Sequence, residues 1–274
     1  QAQKEFGGGK GANQAIAASR LAADTTFISK IGKDGNANFI LEDFKKAGIH
    51  TQYILTSESE ETGQAFITVD EAGQNIILVY GGANMTLSAT DVEMSADAFI
   101  GADFVVAQLE VPFEAIEQAF KIARKQNITT VLNPAPAIEL PKSLLELTDI
   151  IIPNETEAEL LTGISINNES DMKETATYFL DLGISAVLIT LGEQGTYCAY
   201  QEQYKMIPAC NVKAIDTTAA GDTFIGAFLS ELNKDLSNLE SAIRLANQAS
   251  SLTVQRKGAQ ASIPTRKEVE AEYN

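Results

Sequence analysis

Four short apolar segments, separated by helix-like segments, constrain the fold of this chain more than any other feature. They read VVA, TTVL, IIIP and VLIT and lie between residues 105 and 190. A strand with one face in water alternates polar and apolar residues, whereas a strand covered on both faces reads as a continuous apolar run. Because these strands alternate with helices, the pattern predicts a three-layer α/β fold, with a doubly wound and mostly parallel sheet.

The positions of the strands also predict where a ligand binds. In sheets of this kind, ligands lie beyond the carboxyl ends of the strands. The segments QLE, LNPAPA, PNETE and TLGEQG follow the four strands, so we expect the chemistry there. Two hairpins are predicted as well, one over 63–82 with its turn at Glu71–Gly73, and one over 195–209 that interrupts the sheet.

Composition limits the partners. The 274 residues suit one domain, and the net charge of −17 disfavours nucleic acid and anionic membrane surfaces. An anionic ligand must therefore be held by local amides or a metal ion. Cys198 and Cys210 have no metal-ligand spacing, and we interpret them as reduced thiols of a cytoplasmic protein. The only histidine, His50, disfavours histidine-based triads and zinc sites.

The glycine loop GGGKGAN, residues 7–13, has more than one interpretation. Gly7, Gly9 and Ala12 match a dinucleotide-binding spacing, but QAQKEF is a poor preceding strand. Gly9 and Lys10 are followed by Gly11, so the chain has no P-loop there. The loop could simply cap a helix over 13–23, or its free amides could recognise hydroxyls or an anion.

Two further segments also allow ordinary structural roles. In PNETEAELL, Asn154 and Glu157 have the spacing of a helix capping box. In ITLGEQG, Thr190 ends a buried strand before a glycine-rich turn that could belong to a hairpin.

The segment DTTAAGDTFIGAF is harder to explain by structure alone. Its apolar spacing predicts a helix that begins near Thr218 or Ala219, with Asp222 in the first turn. An aspartate there suits the helix dipole. That does not explain why three small residues, 219–221, precede it. A cradle of free amides for a phosphoryl group, beside a carboxylate, explains both features.

These motifs together resemble the ribokinase family of sugar kinases, also called the phosphofructokinase-B type. GGKGAN, NPAPA, PNETEAE, LITLG, DTTAAGDTF and RKGAQAS occur in the family's order from Glu5 to about Pro264. The resemblance implies transfer of the γ-phosphoryl group of ATP to the 5-hydroxyl of D-ribose. A kinase for deoxyribose, fructose or a nucleoside, a non-catalytic sugar- or nucleotide-binding protein, and a nicotinamide-dependent dehydrogenase remain as alternatives.

The resemblance also implies roles for individual residues. Asp222 is the expected catalytic base, and the expected anion hole consists of the amides of Ala219, Ala220 and Gly221. The residues expected to bind sugar hydroxyls are Gly9, Lys10, Asn13 and Glu110, together with Asp222. Asn154 and Glu157 are expected to hold Mg²⁺ through water. The expected nucleotide-binding residues are Asn154, Thr190, Gly192, Gly195, Gly221 and Asn247.

A monovalent cation, usually K⁺, is a further expectation from the family. The residues that the resemblance assigns to it are Asp216, Thr218, Thr253, Arg256, Gly258 and Ser262. Residues 63–82 are expected to be part of a small β lid on a single domain, 1–274, and to mediate a homodimer.

Three features remain as separate expectations. The loop has one glycine more than the family pattern, which obscures which glycine contacts the sugar. We expect the helix dipole to lower the pKa of Asp222. A family strand and an N-x-D segment would precede Gln1, so we expect roughly 30 or more additional N-terminal residues, and weak ribose kinase activity from residues 1–274 alone.

Overall fold

The computed structural model describes residues 6–69 and 75–273. The strands are β1 (Ser29–Ile31), β2 (Ile54–Thr56), β3 (Gln64–Val69), β4 (Asn75–Tyr80), β5 (Phe104–Ala107), β6 (Thr129–Leu132), β7 (Ile150–Ile151), β8 (Ala186–Thr190), β9 (Thr196–Tyr200) and β10 (Gln203–Ile207). The helices are α1 (Lys10–Arg20), α2 (Gly35–Ala47), α3 (Ala89–Met94), α4 (Phe113–Lys125), α5 (Lys142–Leu145), α6 (Glu155–Thr162), α7 (Glu169–Asp181), α8 (Ala220–Glu231), α9 (Leu239–Val254) and α10 (Arg266–Tyr273).

The main sheet has six strands in the order β10-β9-β8-β7-β6-β5. Strands β5 to β8 are parallel, which confirms the doubly wound, mostly parallel sheet. The second hairpin was expected to interrupt this sheet, and that expectation was wrong. Strand β9 turns back beside β8 and pairs with it over five residues, so β9 and β10 extend the sheet at one edge.

Both faces of the central strands are buried, as their apolar runs predicted. Successive residues on β8 alternate between two cores: Leu188 packs with α8 and α9, and Ile189 packs with α4 and α7. Val131 and Leu132 on β6 divide in the same way. Helices therefore cover the sheet on both sides, which confirms the three-layer arrangement.

Two small sheets lie outside the main one. Strands β1 and β2 form a parallel pair, shorter than the strand expected over 25–32. Strands β3 and β4 form the antiparallel hairpin expected over 63–82, in which Phe66 lies opposite Leu78. The predicted turn at Glu71–Gly73 lies outside the described residues.

The local helix signals were mostly reliable. Gly48 ends α2 in the left-handed conformation, with φ of 82°, as its position predicted. The sequence interpretation missed α10. Both cysteines are free thiols, as expected, and His50 contacts Asp24. Within the described ranges, no helix has the length and apolar character needed to cross a membrane.

Helices α1 and α8 pack unusually closely, and Gly226 is the reason. A Cβ atom at Gly226 would lie 2.5 Å from the Cβ of Ala17 and 2.6 Å from the backbone oxygen of Gln14. These neighbours are backbone or short side chains, which cannot turn away. Only a glycine therefore allows the two helices to approach to this distance.

We expect Gly226→Ala to lower the free energy of unfolding by about 1–3 kcal/mol, because the added methyl forces the helices apart. Urea unfolding monitored by circular dichroism measures this. Gly35→Ala is the matched control, since a Cβ at Gly35 meets nothing within 4 Å. Equal unfolding midpoints for Gly226→Ala and the control would refute the close-packing argument.

Candidate active site

The glycine loop forms one wall of the site at the carboxyl ends of the strands. Gly9 caps α1 with φ of 90°, a left-handed conformation that favours glycine. The next amide, of Lys10, donates a 2.8 Å hydrogen bond to Oε2 of Glu110, which follows β5. At Gly7, a Cβ would lie 2.2 Å from the side-chain oxygen of Gln260, which would have to move to make room for it. Of the three glycines, Gly9 is therefore the one at the start of α1.

Asp222 lies opposite this loop, in the first turn of α8. Its Oδ2 accepts a 2.8 Å hydrogen bond from Nδ2 of Asn13, and its Oδ1 accepts a 3.0 Å hydrogen bond from Nε2 of Gln14. Two successive residues of α1 therefore hold the two oxygens of one carboxylate. The predicted base and the predicted sugar-binding loop are in direct contact.

The expected lowering of the Asp222 pKa is wrong. Burial between α1 and α8 raises the pKa of this carboxyl above its usual value. The hydrogen bonds from Asn13 and Gln14 and the charge of Lys10 lower it, but less than burial raises it. Desolvation of a carboxylate can exceed the effect of a helix terminus, which is about 0.3–1 kcal/mol.

Two further carboxylates lie close enough to interact with this centre. Burial is the main cause of the raised pKa of both Glu110 and Glu157, and the charge of Asp222 raises each further. The charge of Lys10 acts in the opposite direction on both. The site therefore gathers three acidic groups from different segments around one lysine.

Asn154 and Glu157 form the capping box that their spacing suggested. The Asn154 side chain accepts from the amide of Glu157 at 2.8 Å, and Glu157 accepts from the amide of Asn154 at 2.9 Å. The Glu157 carboxylate is also buried near the charges of Asp222 and Lys10. The capping box at the start of α6 therefore uses the same two residues that are expected to hold Mg²⁺. Within the described ranges, no three acidic, histidine or cysteine side chains converge on a direct metal site.

The start of α8 presents free amides, as the small residues predicted. Ala219 adopts the left-handed conformation with φ of 61°. The amide of Ala220 donates to the carbonyl of Thr217 at 3.2 Å, so this predicted anion-hole donor already has a partner. Within the described part of the chain, the amides of Ala219, Gly221 and Asp222 have no acceptor. A Cβ at Gly221 would meet nothing within 4 Å, so the space beside this residue is open.

The residues expected at the nucleotide have clear structural positions. Thr190 ends β8, and its hydroxyl donates to the carbonyl of Pro153. Gly192 begins the short turn to β9, and Gly195 ends it with φ of 109°. A Cβ at Gly195 would lie 2.2 Å from a backbone oxygen of Ile207, so this glycine fixes the turn. The hairpin-turn interpretation is therefore confirmed.

Asn247 is buried on α9, and its side chain is fully engaged. It donates to the carbonyls of Ile207 and Pro208 and accepts from the hydroxyl of Thr196 at 3.1 Å. These bonds fasten the segment after β10 to α9. The side-chain amide thus positions this segment, and contact with an adenine remains a prediction.

Asp216 joins the two segments expected to bind a monovalent cation. Its oxygens accept hydrogen bonds of 2.9 Å from the amides of Thr218 and Gly258, and these bonds lower its pKa. The amides of Ile215 and Asp216 in turn donate to the carbonyl of Val254. The segment before α8 is therefore fixed to the end of α9.

The other cation-site candidates lie in the same region. The Ser262 side chain is fully buried and donates to the carbonyl of Ala259 at 2.7 Å. The Thr253 hydroxyl bonds with that of Thr223 on α8 at 3.0 Å, and Arg256 pairs with Glu268 of α10 at 2.9 Å. These contacts connect the end of α9 and the segment after it with α8 and α10.

The sequence interpretation missed three amide side chains beside Asp222. Gln14, Gln108 and Asn133 form a hydrogen-bonded chain that ends on the Asp222 carboxylate. Gln14 directly follows GGGKGAN, Gln108 lies in QLE and Asn133 lies in LNPAPA. These positions associate the three residues with the predicted site, but the sequence does not indicate which of them are in contact.

Comparison with known proteins assigns the chain to a family. The family model for pfkB family carbohydrate kinases matches residues 1–266. The chain belongs to this family. It is therefore a carbohydrate kinase, which transfers a phosphoryl group to an alcohol group of its substrate. Family membership removes the dehydrogenase interpretation of the glycine loop.

The relatives include several named for their sugar. Ribokinase from Staphylococcus aureus is 65% identical over 269 residues, which cover 98% of this chain and 88% of that protein. Deoxyribokinase from Salmonella typhi is 35% identical, covering 94% of this chain and 84% of that protein. The structure of Arabidopsis thaliana ribokinase complexed with ribose and ATP is similar with a TM-score of 0.89, at 33% identity and coverage of 96% and 86%.

The raised pKa of Asp222 predicts a specific pH dependence. A base accepts a proton only when ionised, so activity should fall as pH decreases through the raised pKa. We expect the acid limb of kcat/KM to lie clearly above the value of about 3.9 of an ordinary aspartate. The pH profile of sugar phosphorylation measures this, and full activity down to pH 4 would contradict it.

Proposed function

We propose that this kinase transfers the γ-phosphoryl group of ATP to the 5-hydroxyl of D-ribose, giving ribose 5-phosphate. The observation that carries the proposal is the position of Asp222. It lies in the same first turn of α8 as the open amides, and the helix of the glycine loop holds both of its oxygens. A carboxylate base beside an amide cradle is the arrangement that phosphoryl transfer to a hydroxyl requires.

The chemistry follows from these groups. Asp222 accepts the proton of the attacking hydroxyl, while the amides of Ala219, Gly221 and Asp222 stabilise charge on the transferring group. The transition state of phosphoryl transfer is loose, so catalysis consists largely of positioning and charge stabilisation. A base that accepts its proton late in the reaction need not be strong, and the raised pKa makes Asp222 a better acceptor than a free aspartate.

The sugar is proposed to lie between α1 and the segment after β5. Oδ1 of Asn13 is buried and has no hydrogen-bond partner in the described part of the chain. A buried acceptor without a partner is costly, and a sugar hydroxyl would satisfy it. Lys10 and Glu110 add a donor and an acceptor on either side, and Gly9 lets the sugar approach the backbone.

Magnesium suits the donor set opposite the sugar. Glu157 and Asn154 supply oxygen ligands, which Mg²⁺ prefers, and they would hold the ion through water. The pKa of the Glu110, Glu157 and Asp222 carboxyls is raised mainly by burial, and a nearby cation would stabilise their ionised forms. The ion neutralises charge on the phosphates of the nucleotide, whose site is proposed to extend past Thr190, Gly192 and Gly195 towards Asn247.

Asp222→Asn should remain folded and lose about 10²–10⁴-fold in phosphorylation rate, the usual loss for a general base. A panel of ribose, deoxyribose, fructose and adenosine, assayed by ADP release, measures both rate and preference. Ribose should be phosphorylated with the highest kcat/KM. A preference for deoxyribose would instead support the function named in the Salmonella relative. Activity of Asp222→Asn within tenfold of the unaltered protein would refute the assigned base.

A monovalent cation is proposed to order the anion hole. Asp216 already connects the segment before α8 with the segment after α9, which is where a bound ion would hold the amides in place. The proposed ligands are the Asp216 carboxylate, backbone groups near Thr218, Thr253, Arg256 and Gly258, and the Ser262 hydroxyl. The ion would contact neither sugar nor phosphate.

Potassium should therefore increase kcat without being consumed, whereas tetramethylammonium, which is too bulky to enter, should not. Activity titrations with each chloride salt at fixed ionic strength measure this effect. Asp216→Asn should reduce the response to K⁺. Equal activity in the two salts would remove the proposal.

The lid hairpin is the proposed surface of a homodimer. Phe66, Leu78 and Tyr80 are exposed on one face of the β3–β4 pair, and Val79 is exposed on the other. A two-stranded hairpin is only marginally stable alone and is stabilised by pairing with a second copy.

We also propose that the enzyme is cytoplasmic. ATP as a substrate and two free thiols are consistent with that location.

A further inference from the structure

Gln14 makes a contact with the base that no family motif assigns to it. The side chain is buried, with 2% exposure, and lies on the first turns of α1. Both hydrogens of its amide are used: one is donated to Oδ1 of Asp222 and one to Oδ1 of Asn133, each at 3.0 Å. Its oxygen accepts a hydrogen bond from Nε2 of Gln108.

The direction of these hydrogen bonds is determined by a backbone carbonyl. Nδ2 of Asn133 donates to the carbonyl of Ile152 at 3.0 Å. A carbonyl can only accept, so the nitrogen of Asn133 must face Ile152 and its oxygen must face Gln14. Gln14 must therefore direct its nitrogen towards Asn133 and Asp222, and its oxygen towards Gln108. No amide in this chain can turn over without breaking a buried hydrogen bond.

We propose that Gln14 is the positioning residue of the catalytic base: it fixes the plane of the Asp222 carboxylate through an amide chain anchored on the carbonyl of Ile152. The proposal rests on the proposed function, in which Asp222 is the base. Asn13 cannot do this alone, because one hydrogen bond leaves the carboxylate free to rotate about it. The bond from Gln14 also lowers a pKa that burial raises.

The chain connects parts of the site that must act together. Gln108 lies two residues before Glu110, which bonds to the amide of Lys10. Ile152 lies two residues before Asn154 in the proposed magnesium segment. A displacement of either strand end is therefore transmitted through rigid amides to Asp222. The same amide chain therefore aligns Asp222 both with the proposed sugar site near Glu110 and with the proposed magnesium segment near Asn154.

The test replaces the amide of Gln14 without changing its length. In Gln14→Met, kcat should fall about 10- to 100-fold, because the base is no longer aligned. The acid limb of the pH profile should move up by about one pH unit, because a hydrogen bond to the ionised carboxylate is lost. KM for ATP should change less than about threefold. A role in folding alone would not move the acid limb.

One variant serves as the control. Gln118→Met on α4 makes the same chemical change away from the site and should leave the profile unaltered. Gln108→Met removes the donor to the Gln14 oxygen but leaves both donors of Gln14, so it should lower kcat and shift the acid limb less than Gln14→Met does. If Gln14→Met does not fold, Gln14→Ala removes the same two donors without adding bulk or charge, and it should move the acid limb in the same direction.

The outcomes separate this inference from the function on which it rests. Loss of activity in Asp222→Asn, together with an unaltered acid limb and kcat in the folded Gln14 variant, would overturn the role of Gln14 alone. Retained activity in Asp222→Asn would overturn the base and the inference with it. A lowered kcat with a shifted acid limb in Gln14→Met, but not in Gln118→Met, would support the proposal.

Discussion

The close packing of α1 against α8 is the constraint on which the active site depends. The two helices lie more than 200 residues apart in sequence and both begin at the carboxyl edge of the sheet. Gly226 lets them approach until Gln14, whose backbone oxygen faces this glycine, can reach Asp222 with its side chain. Hydrogen bonds of 2.8–3.0 Å tolerate little displacement, so the spacing of the two helices determines the orientation of the Asp222 carboxylate, the proposed base.

The protein and the nucleotide that it is proposed to bind are both negatively charged. The chain carries a net charge of −17, and the carboxyls of Glu110, Glu157 and Asp222 lie near the charge of Lys10 in the proposed site. Long-range attraction cannot bring a polyphosphate to such a surface. Local groups must supply the affinity: free amides at the start of α8, the lysine and a cation carried with the nucleotide. Each of these acts over a few ångströms, which suits a site that must recognise one geometry.

The parts of the molecule that sequence predicted well are those determined by local patterns. The apolar runs gave the buried parallel strands, and the small residues before Asp222 gave the free amides of α8. The course of β9 and β10 was not predictable, because a hairpin signal does not say which strand it will join. The contacts of Gln14 were not predictable either, because the motifs name the residues but not which of them meet in the folded chain.

The pKa of Asp222 shows why position in a helix is an insufficient guide to chemistry. The helix terminus favours the ionised carboxylate by about 0.3–1 kcal/mol, an effect that weakens quickly with distance. Removing the same carboxylate from water costs more, and here the second helix removes it. The two hydrogen bonds from Asn13 and Gln14 of α1 stabilise the ionised carboxylate and so offset part of the desolvation cost. The result is a carboxylate whose pKa is raised above its usual value. A general base works best when its pKa approaches the pH at which it operates.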